Sequence, residues 1–120
     1  ALLSPYVAQV SAKLRDALAR DGIETPVFGS FDEAEEAKVV RIDAASIVAA
    51  AVDLASQGGA EAIFLSCTNL RTLNVIEEIE RETGLPCLSS NQVLAWHIAQ
   101  AAGITARIRG RLGQSAATLP

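Results

Sequence analysis

The sequence predicts one α/β domain with three layers, in which helices cover both faces of a mostly parallel sheet of about four strands. Short apolar runs rich in β-prone residues alternate along the chain with amphipathic segments of about ten or more residues. Strands that alternate with such helices form right-handed βαβ units and therefore parallel sheets. In addition, half of the 120 residues are hydrophobic, so one sizeable core can form without disulfides or a structural metal.

The first part of the chain is predicted to form a strand, a helix and a second strand. Residues 1–3 are typical of the end of a strand, and Ser4-Pro5 has the residue types of a helix N-cap and first helical position. Apolar residues at helical spacing then continue to Asp21-Gly22, which is expected to end the helix. Residues 23–31 predict a strand that lies at an edge or starts at Pro26.

A charged connection and an alanine-rich helix follow. Residues 32–41 lack a clean period and are expected to form a solvated connection with one helical turn. Its acidic residues are expected to form a solvated face, because no His or Cys lies nearby to complete a metal site. From Asp43 a helix is predicted to continue to Gly58-Gly59. The acidic residues of the connection are Asp32, Glu33, Glu35 and Glu36.

The second half of the chain continues the alternation. Leu73 is expected on the inner face of the first helix of this half, and Ser89 with Gln92 has the spacing of a capping box for the second. The domain is expected to span residues 1–111, with a final extended piece from Ile104 and a loose tail at 112–120. The predicted segments are strands at 62–66 and 85–88 and helices from about Asn69 to Thr83 and from Val93 to Ala102.

Composition argues against several classes of function. The formal charge is −4, no basic cluster is present and aromatic residues make up 4%, so no nucleic-acid partner is expected. No apolar run reaches about 18 residues, so no membrane partner is expected, and without a signal peptide the two cysteines indicate the cytoplasm. Because the chain has no Met and begins within a predicted strand, it is expected to be part of a longer protein.

Polar segments are expected to meet at one edge of the sheet. In parallel α/β sheets, ligands bind outside the carboxyl ends of the strands. Gly58-Gly59 precedes a strand instead of following one, so a nucleotide phosphate site is not expected. The residues at this edge are small and carry hydroxyl or amide groups, in the segments Leu3–Tyr6, Gly29–Phe31, Ser66–Asn69 and Leu88–Asn91.

Cys67 is the main candidate for an active centre. It follows the strand at 62–66 and precedes a predicted helix, whose unpaired backbone N–H groups would stabilise a thiolate or a bound carboxylate. Such a thiol suits an enzyme that acts on a small dicarboxylate as base or nucleophile, with backbone donors that stabilise an enediolate. From the pattern alone, however, a lone cysteine at a strand end is more often a small buried hydrophobic residue.

The remaining candidates are expected to be structural. Cys87 lies in an apolar strand and is expected in the core, and His97 is expected on the surface or at an interface. Trp96 is expected to pack against the sheet or a neighbouring subunit. No C-x-x-C motif is present, and the two cysteines with His97 are too few and too irregularly spaced for a metal site.

Several motifs together resemble the second half of the aspartate/glutamate racemase superfamily, whose domains have a flavodoxin-like fold. Within it they are most similar to the branch of maleate cis-trans isomerases and arylmalonate decarboxylases, which includes ectoine-utilisation proteins. The likeness extends to about Arg111. The matching motifs are Ser4-Pro5-Tyr6, Gly29-Ser30-Phe31, Val40-Arg41-Ile42, Ser66-Cys67-Thr68-Asn69 and Ser89-Ser90-Asn91-Gln92.

This resemblance implies a cofactor-free enzyme of two similar domains, in which Cys67 is the catalytic cysteine of the second domain. In isomerases of the branch, one thiolate adds to the double bond and another cysteine serves as acid and base. In the decarboxylases a single cysteine, matching Cys67, protonates the enediolate left after carbon dioxide departs. The substrate-binding residues that the resemblance implies are Tyr6, Thr68, Asn69, Ser89, Ser90 and Asn91.

The resemblance also implies partners. The expected partners are a small carboxylic acid and the first domain of the same chain, and a homo-oligomer is compatible with the sequence. That first domain is absent here, so the chain alone is expected not to turn over substrate, whereas its parent is expected to be an enzyme. The alternative function is a non-catalytic carboxylate-binding or assembly module derived from the same fold.

Overall fold

The computed structural model describes residues 1–115, which contain a four-stranded sheet whose strands are all parallel. The order across the sheet is β2-β1-β3-β4, so β1 and β3 are the two central strands. The predicted α/β class, with about four parallel strands, is therefore confirmed. The strands are β1 Leu2–Tyr6, β2 Phe28–Glu33, β3 Ile63–Leu65 and β4 Cys87–Ser89.

Helices cover both faces of this sheet. On one face, the strand residues Leu3, Leu65 and Cys87 pack with apolar side chains of α3 and α4 in one buried cluster. On the other face, Phe64 and Leu88 line a cavity of about 670 Å³ together with side chains of α1 and α5. The helices are α1 Ala8–Arg20, α2 Glu36–Val39, α3 Ala44–Ser56, α4 Ile76–Thr83 and α5 Ser90–Ala101, and a 3₁₀ helix spans Arg111–Gln114.

The prediction that Ser4-Pro5 begins a helix is wrong, because both residues belong to β1 and α1 begins only at Ala8. As a central strand, β1 pairs on both sides, and this pairing outweighs the local helix-start signal. Pro5 has no N–H to donate, and the β1–β2 register shifts between Ser4 and Tyr6, where the ladder passes the proline. The second strand starts at Phe28, later than predicted, and runs on to Glu33.

The helix predicted from about Asn69 begins only at Ile76. The residues between Cys67 and Ile76 form bends and turns, with Leu70 and Thr72 buried at 1% exposure each. Leu73 is 46% exposed, so its predicted inward position is also wrong. The segment contains β-branched and Asn residues of low helix propensity, and burial of alternate side chains fixes an irregular path instead.

Three predicted features of helix ends are confirmed: a helix start at Asp43, the Ser89–Gln92 capping box and a helix end at Thr83. Asp43 caps α3 by accepting a hydrogen bond from the Ser46 N–H at 2.7 Å. Ser89 and Gln92 form the predicted capping box, although α5 begins at Ser90, earlier than predicted. Gly84 ends α4 with a φ of 72°, a left-handed conformation that glycine adopts without strain.

The end of the described chain contains no strand, so the extended piece predicted from Ile104 is not a β-strand within residues 1–115. The 3₁₀ helix Arg111–Gln114 lies across the predicted domain boundary at residue 111. The last five residues of the predicted tail, 116–120, lie outside the described residues. None of the helices in the described part of the chain is both long and apolar enough to cross a bilayer.

Candidate active site

Cys67 lies just beyond the carboxyl end of the central strand β3, and it is 4% exposed. Its φ of 134° is in the region that side-chain-bearing residues rarely adopt. The Cys67 N–H donates a hydrogen bond to Ser90 Oγ at 3.2 Å, so the first residue of α5 helps to hold this backbone conformation. The cysteine is therefore fixed by two elements, β3 and the start of α5.

Two hydrogen-bond donors point at the sulfur of Cys67. The hydroxyl of Tyr6 lies 2.9 Å from Sγ, and the backbone N–H of Asn69 lies 3.2 Å from it. A neutral thiol is a weak acceptor, whereas a thiolate is a strong one, so two donors stabilise the charged form preferentially. The predicted helix N-terminus does not supply these donors, because α4 begins only at Ile76; a tight turn and a tyrosine supply them instead.

The phenol of Tyr6 stays protonated and can therefore donate to the sulfur of Cys67. Its hydrogen bond to Cys67 raises the pKa of the phenol, and burial and the charges of Cys67 and Glu36 raise it further. At neutral pH the hydroxyl is therefore a donor. The backbone of Tyr6 is also fixed by hydrogen bonds. Its N–H donates to Ser4 Oγ at 3.2 Å, and its carbonyl accepts from Ser11 Oγ at 3.2 Å and from Ser30 Oγ.

The structure brings most of the predicted site residues together around Cys67. Tyr6, Asn69 and Ser90 contact it directly, as described above. Asn91 donates from Nδ2 to the Thr68 carbonyl at 2.8 Å, so it supports the turn that carries the thiol. Thr68 is itself exposed at this edge of the sheet.

Ser89 has a different position from the rest of the predicted set. It is fully buried, its Oγ accepts from the Gln92 N–H at 3.4 Å, and its own N–H donates to Gln92 Oε1 at 3.1 Å. Its contacts are those of a helix cap, and it fixes the start of α5, where Ser90 is the first residue. Its predicted place among substrate-binding residues remains a prediction.

Sequence reasoning missed Glu36, which lies in the acidic connection that was predicted to be only a solvated face. Its Oε1 accepts a hydrogen bond from Asn69 Nδ2 at 2.8 Å. Partners 33 positions apart leave no periodicity or spacing in the sequence, so only the fold reveals this contact. Within residues 1–115, no group of three or more His, Cys, Asp or Glu side chains is arranged to hold a metal ion.

The other thiol and the histidine have the predicted surroundings. Cys87 is fully buried, and burial, followed by the charge of Glu80, raises the pKa of its thiol to about 12. It is therefore a neutral core residue at physiological pH. His97 is exposed on α5.

This parallel α/β domain presents a thiol beyond the end of a central strand, between a tyrosine hydroxyl and a backbone N–H, at the sheet edge where such domains bind ligands. The family model described as arylmalonate decarboxylase matches residues 1–114, and the chain belongs to this family. The resemblance seen in the sequence motifs is thus confirmed.

Individual relatives agree with this assignment. The chain is 30% identical over 115 residues to arylmalonate decarboxylase of Bordetella bronchiseptica, a match that covers 95% of the chain and 48% of that protein. A crystal structure of arylmalonate decarboxylase is similar with a TM-score of 0.81 at 30% identity, covering 97% of this chain and 51% of that one. The chain therefore spans about half the length of these relatives.

A maleate cis-trans isomerase of Nocardia farcinica is also similar, at 25% identity and a TM-score of 0.86. This match covers 96% of the chain and 48% of the isomerase. Both branches predicted from the motifs, decarboxylase and isomerase, are thus represented among its structural neighbours.

Proposed function

We propose that this chain is the second, catalytic domain of a cofactor-independent enzyme that uses Cys67 to decarboxylate or isomerise a small dicarboxylic acid. The observation that carries the proposal is the pair of donors, Tyr6 hydroxyl and Asn69 N–H, at 2.9 and 3.2 Å from Cys67 Sγ. Both reactions pass through a cysteine thiolate. Donors that favour the thiolate lower the free energy of that charged state.

In the decarboxylation, the bond between the central carbon and one carboxyl group breaks and carbon dioxide leaves with no added electrons. The electron pair of that bond forms an enediolate on the remaining carboxyl group. Cys67 then transfers its S–H proton to the carbon, and the resulting thiolate is stabilised by Tyr6 and Asn69. A proton from solvent restores the thiol for the next turnover.

In the isomerisation, a cysteine thiolate instead adds to a carbon of the double bond, and the electron pair moves onto the adjacent carboxylate. The former double bond is now a single bond, so it rotates before the thiolate leaves and the double bond re-forms. The related Nocardia farcinica enzyme, crystallised as a mutant with one cysteine replaced by serine, carries a covalently bound succinylcysteine intermediate, which is an adduct of this kind. In that reaction we assign Cys67 as one of two cysteines, between which the adduct-forming thiolate and the acid and base are divided.

The substrate and the partner follow from the same likeness. Arylmalonate and maleate, for which the relatives are named, are both small dicarboxylates, so we assign this chain a substrate of that class. The chain spans about half of its relatives, and we assign the remaining half to a first domain of the same polypeptide that closes the site. Both cysteines are free thiols, which agrees with the cytoplasmic location predicted from the sequence.

The test uses the full-length parent protein, with carbon dioxide release from an arylmalonate and conversion of maleate as the two assays. Cys67→Ala is expected to lower turnover at least about a hundredfold, the usual effect of removing a general acid or base. Cys87→Ala is the matched control, since it removes the other thiol and is expected to keep turnover. Ordinary turnover by folded Cys67→Ala protein in either assay would contradict the proposal.

A further inference from the structure

The backbone N–H and the side-chain NH2 of Asn69 have different partners, and one partner is a carboxylate of the protein itself. The backbone N–H of Asn69 donates to Cys67 Sγ, whereas its side-chain Nδ2 donates to Glu36 Oε1 at 2.8 Å. Glu36 belongs to α2, which lies beyond β2 in the chain. A carboxylate is therefore already hydrogen-bonded to a residue that contacts the candidate catalytic sulfur.

The neighbouring acidic residue has another arrangement. Glu35, which directly precedes α2, forms an ion pair with Lys38 of that helix, with 2.6 Å between Oε1 and Nζ. The charge of Glu35 is therefore balanced by Lys38. Within residues 1–115, the Glu36 carboxylate accepts a hydrogen bond from the Asn69 amide. Glu36 and Asn69 are both exposed, so a rotation of the Glu36 side chain is enough to release the amide.

Glu36 also affects the second donor of the site. The pKa of Tyr6 is raised first by its hydrogen bond to Cys67, then by burial and by the charge of Cys67, and Glu36 adds a further rise. The negative charge of Glu36 thus acts on the same small region as Tyr6, Cys67 and Asn69.

We propose that Glu36 is a specificity-determining residue, an internal carboxylate that occupies the Asn69 amide and must be displaced by a substrate carboxylate. This inference rests on the proposed function, because it requires a ligand that carries a carboxylate to the Cys67 site. Its physical basis is charge repulsion. Nδ2 of Asn69 has a second N–H, but two carboxylates that accept from the same amide nitrogen lie close together and repel each other. Glu36 therefore lowers the affinity of the site for carboxylates.

The first experiment measures how well malonate protects Cys67 from iodoacetamide in the full-length protein, with peptide mass mapping to follow Cys67 alone. In Glu36→Ala, the malonate concentration that gives half protection is expected to fall about three- to tenfold, as for the loss of one exposed charge and one hydrogen bond. Glu35→Ala removes a charge at the adjacent position without touching Asn69 and is expected to change this concentration less than about twofold.

The second experiment separates charge from hydrogen bonding and needs no malonate. Iodoacetate carries a carboxylate and iodoacetamide does not, so the ratio of their rates at Cys67 reports how the site treats an incoming carboxylate. Glu36→Gln keeps a side chain that can accept from Asn69 but removes the charge. The ratio of the iodoacetate rate to the iodoacetamide rate is expected to rise about threefold or more in this variant, since one nearby charge is lost.

The inference requires both changes. If malonate protects the wild-type protein but protects Glu36→Ala no better, or if the rate ratio of Glu36→Gln equals that of the wild type, the inference is overturned and the proposed function stands. If protection becomes weaker in Glu36→Ala, Glu36 positions Asn69 for binding, and the inference is likewise overturned. If malonate protects neither protein, the proposed function and the inference both fail.

Discussion

The hydroxyl of Tyr6 donates a hydrogen bond to the sulfur of Cys67 at 2.9 Å, although the two residues lie 61 positions apart in the sequence. They meet because Tyr6 ends β1 and Cys67 follows β3, and these strands are neighbours in the sheet. The contact gives the thiol a donor that stays protonated at neutral pH.

Tyr6→Phe removes this donor and keeps the ring. The thiolate of Cys67 then loses a charge-assisted hydrogen bond, so alkylation of Cys67 by iodoacetamide at pH 7 is expected to slow about tenfold. The measurement is the pseudo-first-order rate followed by peptide mass. Arg20→Lys, a surface change at the end of α1, serves as the control, and an unchanged rate in Tyr6→Phe would show that the hydroxyl does not act on the thiolate.

The backbone of Cys67 gives a second prediction. Its φ of 134° strains any residue that has a Cβ, and glycine relieves this strain. Cys67→Gly is therefore expected to be more stable than Cys67→Ala by about 1 kcal/mol, although both lack the thiol. Denaturant unfolding of the two variants measures the difference, and a more stable alanine variant would contradict the assigned strain.

Glu80 gives a third prediction, since this carboxylate is only 8% exposed and accepts backbone hydrogen bonds from two distant segments. Its Oε1 accepts from the Cys87 N–H at 3.0 Å, and both its oxygens accept from the Arg111 N–H at 3.0 to 3.1 Å. Glu80→Gln replaces one acceptor oxygen by an amide NH2 group that faces these donors, and it is expected to cost about 2 kcal/mol of unfolding free energy. Glu82→Gln on the exposed side of α4 is the matched control and is expected to be nearly neutral.

The buried thiol Cys87 gives a prediction about pH. Burial and then Glu80 raise the pKa of its thiol from 9.0 to about 12, so the folded state keeps the proton where the unfolded state releases it. The contribution to stability is therefore complete below pH 9 and is lost as the pH rises from 9 toward 12. The expected result is a fall in melting temperature across this range that is smaller in Cys87→Ala; equal slopes in the two proteins would contradict it.

Signals carried by neighbouring residues allowed reliable prediction from the sequence. The helix start at Asp43, the Ser89–Gln92 capping box and the helix end at Thr83 each depend on contacts within a few residues, and all three are present. The alternation of strands and helices likewise predicted the parallel sheet.

Features set by distant contacts were not predictable in the same way. Ser4-Pro5 has a local helix-start pattern, but pairing of β1 on both sides makes it strand. The position of Cys67 at the sheet edge was predicted, yet the source of its hydrogen-bond donors was not, because the turn at Asn69 replaces the expected helix. The Glu36–Asn69 contact joins two segments whose proximity depends on the whole fold.

The register between the two central strands limits how this sequence can change. Leu3 is paired with Leu65, the last residue of β3, and the Ser66 N–H donates to the Leu3 carbonyl at 2.9 Å, so the last residues of β1 run beside the turn that follows β3. A single-residue insertion or deletion within β3 would turn Cys67 to the opposite face and separate it from Tyr6. Insertions and deletions are therefore not tolerated at the carboxyl end of β3. The exposed turn at Gly58-Gly59 can accept them without moving the thiol of Cys67.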